Sequence, residues 1–280
     1  MRFFILLLVP WYLAGIPVDD AWGRVIDLQK PAERIVSLSP SVTEMLFAIG
    51  AGKKVVGRTE YCTYPAEAQM VPAVGGFSGA TINVERILLL KPDLVILSGD
   101  MHERINRILE QVGIRTCAVE PRTIDEVMQT ISLIGILTGT EAGASHVIAT
   151  MQEKFRRASV RVSSRPRVLW ILFPDPLMTV GGSSFVNEVL NRAGAENIFG
   201  DMLEAWPVVS VEQVAIRGPE WILTGSDQPD LYAWLGQRSG FRSLDPVRKG
   251  RVAQIDADIV YRYGPRLADA VEYIAAVLFP

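Results

Sequence analysis

A stretch that occurs twice constrains this chain more than any other feature. Asn83-Val84-Glu85-Arg86-Ile87 runs through Lys91-Pro92-Asp93 into Leu94-Val95-Ile96-Leu97, and the same grammar returns at Ser210-Val211-Glu212-Gln213-Val214, Gly218-Pro219-Glu220 and Trp221-Ile222-Leu223-Thr224. Each copy reads as a capped helix, a proline-marked turn and a buried strand. An ungapped overlay keeps the valine, the glutamate and the proline in register and matches Asn to Ser at the cap. Similarity at so long an offset points to two like lobes, since a solenoid would repeat every few tens of residues.

The rest of the chain reads the same way. Arg34 to Leu38 is a β-branched strand, and Val42 to Ile49 is a helix stopped by Gly50, with Ser41 and Glu44 spaced as a capping box. Lys54 to Gly57 is the next strand. It is followed by a helix-poor loop, Arg58 to Gly79, whose length marks it as functional. After the first repeat copy come a helix from Glu103 to Val112, a strand from Thr116 to Val119 and a helix from Ile124 to Leu137. Strands alternating with helices imply parallel βα units.

Between Thr140 and Ser163, Ala144, Val147, Ile148, Met151, Phe155, Ala158 and Val162 recur at helical spacing, which predicts one amphipathic helix of about 35 Å. A second α/β pattern then begins with the strand Val168 to Phe173 and the helix Ser184 to Arg192. Here Ile198-Phe199-Gly200 echoes the strand Val55-Val56-Gly57. It ends with a helix around Leu231 to Leu235, a strand from Arg251 to Ile255 and a helix from Pro265 to Leu278. The expected fold is therefore α/β: two Rossmann-like lobes, residues 24–139 and 164–280, joined by a single long helix over 140–163, with a ligand cleft between the lobes. The strand ends facing that cleft carry Tyr61 and Phe77 from one lobe, and Phe173, Asp175, Tyr261, Arg262 and Tyr263 from the other.

Met1-Arg2 followed by the apolar run Phe3 to Ile16 is too short to span a bilayer, and Ala21-Trp22-Gly23 offers small residues to a signal peptidase, so residues 1–23 are expected to be a cleaved export signal. The mature protein is then periplasmic. In that oxidising compartment Cys62 and Cys117 could pair as a disulfide, or each could be a small buried apolar residue. The net charge of −3 supplies no basic footprint for nucleic acid. Only His102 and His146 are present, and His146 lies in the linking helix, so no metal site is expected. A nucleophile elbow, a phosphate loop and a histidine-carboxylate set are all missing, and no enzyme activity is expected.

Arg34 to Glu44, Tyr61-Cys62-Thr63-Tyr64-Pro65, Asn83 to Arg86, and Trp206-Pro207 with Ser210 to Val214 together resemble the periplasmic vitamin B12-binding proteins of ABC importers, a branch of the helical-backbone solute-binding class that also serves siderophores and haem. The resemblance spans nearly all of the mature chain. It implies a monomer that captures cobalamin or a related corrinoid as transported ligand, without a cofactor, and delivers it to a permease dimer in the inner membrane. By the same resemblance Tyr61 lies against the corrin, Phe77 stands where the family has a tryptophan, and Asp258 and Arg262 match a ligand-contacting pair. Ser98 replaces another family tryptophan. Glu85 and Glu212 match glutamates that dock into arginine-containing pockets on the two permease subunits. The alternatives are a ferric siderophore, with Arg58, Arg122 and Arg262 as its cations, haem, with Tyr61 as its axial ligand, and a periplasmic ligand sensor.

Overall fold

The two halves of the chain build the same sheet. The computed structural model describes residues 16–160, 164–225 and 231–280. In the N-terminal lobe four parallel strands lie in the order Val55–Arg58, Ile35–Ser37, Leu94–Ser98, Thr116–Val119. In the C-terminal lobe the order is Glu196–Asn197, Arg167–Ile171, Trp221–Thr224, Val252–Gln254. In each lobe the second strand in sequence is therefore an edge, the first is its neighbour, and the third and fourth follow. The structure corrects one detail. The second strand of the C-terminal lobe is Glu196–Asn197 and not the Ile198-Phe199-Gly200 run, whose Phe199 is buried in the lobe's outer core.

Both faces of each sheet are covered, as parallel sheets require. Alternation along the strands divides the apolar residues: Leu94 and Ile96 face an inner core, while Val95 and Leu97 face an outer one. Val168 and Trp170 likewise face inward, and Leu169 and Ile171 outward. The inner core is continuous from one sheet to the other. Its middle is the connecting helix Glu141–Val160, which buries Ala144, Met151, Phe155 and Ala158. At 20 residues this helix is about 30 Å long. It packs against the helices Ile124–Thr138 on one side and Leu267–Leu278 on the other. Gly143 lets the helix come close to the chain at Ile49, because a Cβ there would sit 2.1 Å from the Ile49 carbonyl oxygen. Val162, the last residue of the expected stripe, lies outside the described residues.

The first helix departs from its expected capping. It spans Pro40–Ala48 with Ser39 as N-cap, so Ser41 lies inside the first turn and Glu44 makes no capping box. Glu44 is instead buried, with 2 % of its side chain exposed, and holds Arg266 of the other lobe through Nη2 at 2.9 Å and Nε at 3.0 Å. The guanidinium lies 3.7 Å over the Tyr64 ring. On the other flank, Glu188 accepts the Ile124 N–H at 2.9 Å and Arg192 meets Asp125 at 2.8 Å. The lobes are thus braced on two sides as well as joined by a helix.

Residues on both sides of the expected export-signal boundary at residue 23 pair with each other in the structure. Ile16–Asp19 pairs antiparallel with Val25–Leu28, and the turn between them is stitched to the sheet edge. Ala21 N–H donates to the Ala118 carbonyl at 2.9 Å, and buried Asp20 accepts the Ala118 N–H at 3.1 Å. Burial alone would raise the Asp20 carboxyl, but hydrogen bonds from the Arg24 side chain and from the Arg24 and Ala118 amides hold it below the usual range. Removing residues 16–23 would strip this cover from the edge strand. The remainder of that segment, residues 1–15, lies outside the described residues.

A buried charge left without its partner is strongly unfavourable. Arg266→Ala is expected to lower the unfolding free energy by about 3 kcal/mol, read as a fall in the urea midpoint at unchanged slope. Replacing both partners, Glu44→Leu with Arg266→Leu, is expected to recover most of that loss. An equal loss in both variants would assign the effect to packing instead.

Candidate functional site

In a doubly wound sheet the crevice forms where neighbouring strands send their connections to opposite sides. In the N-terminal lobe that point lies between the carboxyl ends of Ile35–Ser37 and Leu94–Ser98. The structure has a cavity there of about 480 Å³, lined by Ser39, Pro40 and Ser41 after the first of these strands and by Ser98, Gly99 and Asp100 after the second. Val119, Glu120 and Arg122 extend the wall past the fourth strand, and Phe77 enters from the long loop. The opposite lobe contributes Tyr261, Arg262 and Tyr263. A larger cavity, about 890 Å³, opens beside Phe47, Lys53 and Glu67, but it belongs to the N-terminal lobe alone and lies away from the strand ends. The interlobe cleft is therefore the candidate site.

Each wall is held in place by local chemistry. Gly99 turns the chain at φ 40°, and a Cβ there would meet the Glu120 carboxylate at 2.6 Å, so glycine is needed both for the turn and for the approach. Tyr61, Phe77 and His102 form a chain of edge-to-face rings, with centroids 6.2 Å and 6.0 Å apart. In the opposite lobe Tyr261 is fixed by the Trp170 indole N–H, which donates to its hydroxyl at 3.1 Å. Tyr263 packs on Phe185 with ring centroids 4.4 Å apart. Burial pushes both phenols above their ordinary range, the nearby Glu120 charge adding to the effect at Tyr263, so both stay protonated.

The expected residues converge only in part. Phe77 and Arg262 line the cavity, and Tyr61, 57 % exposed, stands edge-on to Phe77. Asp258 acts through Arg262, which it holds at 2.8 Å. The same guanidinium crosses the cleft to Thr63 Oγ1 at 3.2 Å, while its Nη1 is buried without a hydrogen-bond partner. Phe173 is exposed on the short hairpin Phe173–Pro174 with Leu177–Met178 and does not line the cavity. Asp100, Glu120 and Met45, which do line it, escaped the sequence reading. Asp100 and Glu120 follow strand ends as Tyr61 does, and that position was the one available signal.

Cys62 and Cys117 are both free and buried, which excludes their pairing in this structure. Cys62 Sγ lies 3.2 Å from Thr59 Oγ1, and Cys117 points into the inner core from an edge strand. Burial, reinforced by the Asp20 charge, pushes the Cys117 thiol up to about 12. Both cysteines are packing residues. Glu85 and Glu212 are exposed in the first turns of Val84–Leu89 and Val211–Arg217, the two repeat helices, capped by Asn83 and Ser210. They stand apart from the cleft lining.

A model of the periplasmic binding protein family matches residues 35–259. The chain belongs to that family. An uncharacterized ABC transporter substrate-binding lipoprotein of Bacillus subtilis is 33% identical over 275 residues, covering 95% of this chain and 86% of that protein. A vitamin B12-binding protein of Vibrio cholerae is 30% identical over 253 residues, covering 89% and 90%. The crystal structure of the periplasmic vitamin B12 binding protein BtuF of Vibrio cholerae superposes with a TM-score of 0.71 at 31% identity, over 89% of this chain and 97% of that one. A periplasmic heme-binding protein from Roseiflexus shares the fold, with a TM-score of 0.75 at 24% identity over 89% and 98%. Two α/β lobes around a cleft are thus the architecture of this family, and its members in importers bind a ligand and meet a permease.

Proposed function

We propose that this protein captures a corrinoid in the interlobe cleft, in the periplasm, and delivers it to an ABC permease. The observation that carries the ligand class is the charge state of the cleft. Its two arginines each have a carboxylate partner, Arg122 with Glu120 at 3.3 Å and Arg262 with Asp258 at 2.8 Å. An anionic siderophore would need convergent unpaired cations. What the cleft offers instead is three aromatic rings, a row of hydroxyls at Ser39, Ser41 and Ser98, and one unpartnered guanidinium nitrogen. A broad, amide-fringed, nearly neutral ring system matches that set. The likeness to vitamin B12-binding proteins over most of the chain supports the same reading. Haem is less well served, because both nitrogens of His102 are occupied by backbone groups, so that histidine cannot supply an axial ligand.

A calorimetric series of cobalamin, cobinamide, haem and ferric siderophores decides the ligand. Binding of cobalamin or cobinamide is expected, and silence from both alongside a tight siderophore or haem isotherm would overturn the corrinoid reading.

Delivery rests on the repeated glutamates. Hydrogen bonding to Ser210 holds the Glu212 carboxyl below its ordinary range, and Glu85 has the same place on its own helix. Exposed ion pairs are individually weak, but two at a fixed separation set orientation and speed encounter. Glu85→Ala with Glu212→Ala is expected to leave ligand affinity intact and to weaken docking to the permease. Unchanged docking would return both residues to helix-start duty.

A further inference from the structure

His102 has no part in a metal site, yet its side chain is fully buried, with 0 % exposed, directly behind the cleft. It closes the turn Asp100–His102 that follows the strand Leu94–Ser98. Its Nδ1 lies 2.9 Å from the Ser98 nitrogen and its Nε2 lies 2.7 Å from the Phe77 carbonyl oxygen. An amide N–H can only donate and a carbonyl can only accept, so the tautomer is fixed: Nδ1 accepts and Nε2 carries the proton. The ring also stands edge-on to Phe77, at 6.0 Å and 71°. Phe77 and Ser98 both line the cavity, and Tyr61 leans on Phe77. Three pieces of the N-terminal wall therefore meet at one imidazole.

We propose that His102 is the positioning residue of the cleft's N-terminal wall, and that the wall keeps its shape only while this imidazole is neutral, so that ligand capture weakens in acid. A second proton would go to Nδ1 and confront the Ser98 N–H donor to donor, freeing the strand end and, through the ring, Phe77. The pieces packed around the imidazole offer little to compensate that charge. The segment Phe77 to Thr81 and the strand Leu94–Ser98 carry no ionisable side chain. On its own turn and helix are Asp100, Glu103, Arg104, Arg107 and Glu110; Glu103 is paired with Arg107 and Glu110 with Arg24. Past the neighbouring strand, Glu120 is paired with Arg122.

Burial holds the imidazole below its ordinary value of 6.5, opposed by the Phe77 carbonyl. Because the folded value is depressed, the unfolded chain takes up the proton first. Stability is then constant above 6.5, declines as pH falls from 6.5 towards the folded value and levels off below it, whereas the wall itself changes only as pH falls through the folded value. The ligand in this inference is taken from the corrinoid reading; the geometry is independent of it.

The sequence has only two histidines, and His146 lies exposed on the connecting helix, so nitrogen-resolved NMR of the full chain can follow each one. His102 is expected to show an acceptor Nδ1 and a protonated Nε2, to titrate below its ordinary value of 6.5, and to lose protection of the Ser98 amide as it does so. In calorimetry with cyanocobalamin, wild-type affinity is expected to be flat at neutral pH and to fall several-fold as pH drops below 6.5 and through the folded value of His102. His102→Asn and His102→Gln, each able to keep one of the two hydrogen bonds but unable to take up a proton, are expected to bind more weakly at neutral pH and to lack the acid limb. The opposite tautomer, titration of His102 at or above 6.5, or an acid limb that persists in both variants would overturn the proposal. If both variants fail to fold, the wild-type tautomer and amide protection decide it. If wild-type protein binds no corrinoid at any pH, the corrinoid reading falls, and the same NMR measurements still decide the role of His102.

Discussion

Arg266 leaves the C-terminal lobe and inserts its guanidinium between two groups of the other lobe, the buried Glu44 carboxylate and the face of Tyr64. Neither partner is free to move alone. Glu44 sits in the first helix after the strand Ile35–Ser37, whose carboxyl end forms the cleft floor, and Tyr64 belongs to the loop that carries Tyr61 and Thr63. The next contact along, Arg262 to Thr63, ties the same loop to the opposite wall. A buried pair contributes less to net stability than its geometry suggests, because desolvation offsets most of the attraction. What it does supply is register: the lobes cannot shift without stranding a charge. The continuous core along the connecting helix enforces the same placement through packing.

From that constraint the site follows. With the lobes fixed, the switch point of the N-terminal sheet faces Tyr261, Arg262 and Tyr263 at one separation, and the cleft is preformed. Its two arginines are each paired with a carboxylate and Asp100 adds a further acidic group, so selectivity falls to aromatic faces, hydroxyls and a single open guanidinium nitrogen. The two glutamates lie on the repeat helices, one per lobe, and a braced frame of this kind is expected to keep their spacing constant with or without ligand. On the proposed reading, capture and docking are then separable functions of one frame.

The duplicated lobes, the parallel strands and the long helix were legible in the sequence because each rests on local periodicity. The identical strand order in the two sheets is what a repeat of strand, helix and strand demands. Local grammar misled where a long-range partner used the same residue. Ser41 and Glu44 have capping-box spacing, but Ser39 caps the helix and Glu44 is claimed by Arg266, more than two hundred residues away in sequence. Ile198 to Gly200 has strand composition, yet the pairing lies just before it at Glu196–Asn197. Nor does anything local reveal that Asp20 and Ala21 pair with Ala118. Of the residues lining the candidate cleft, Phe77 and Arg262 were named by the strand-end rule and by resemblance. His102, Asp100 and Glu120 carry no motif, and only the fold shows that they stand behind or beside the ligand wall.

The central claim is that the two lobes hold one fixed separation, so that the cleft awaits its ligand preformed. Small-angle X-ray scattering of the protein alone and saturated with cobalamin tests it most directly. Superimposable profiles with an unchanged radius of gyration are expected. A marked compaction on binding would contradict the braced frame and show that the lobes close by a hinge.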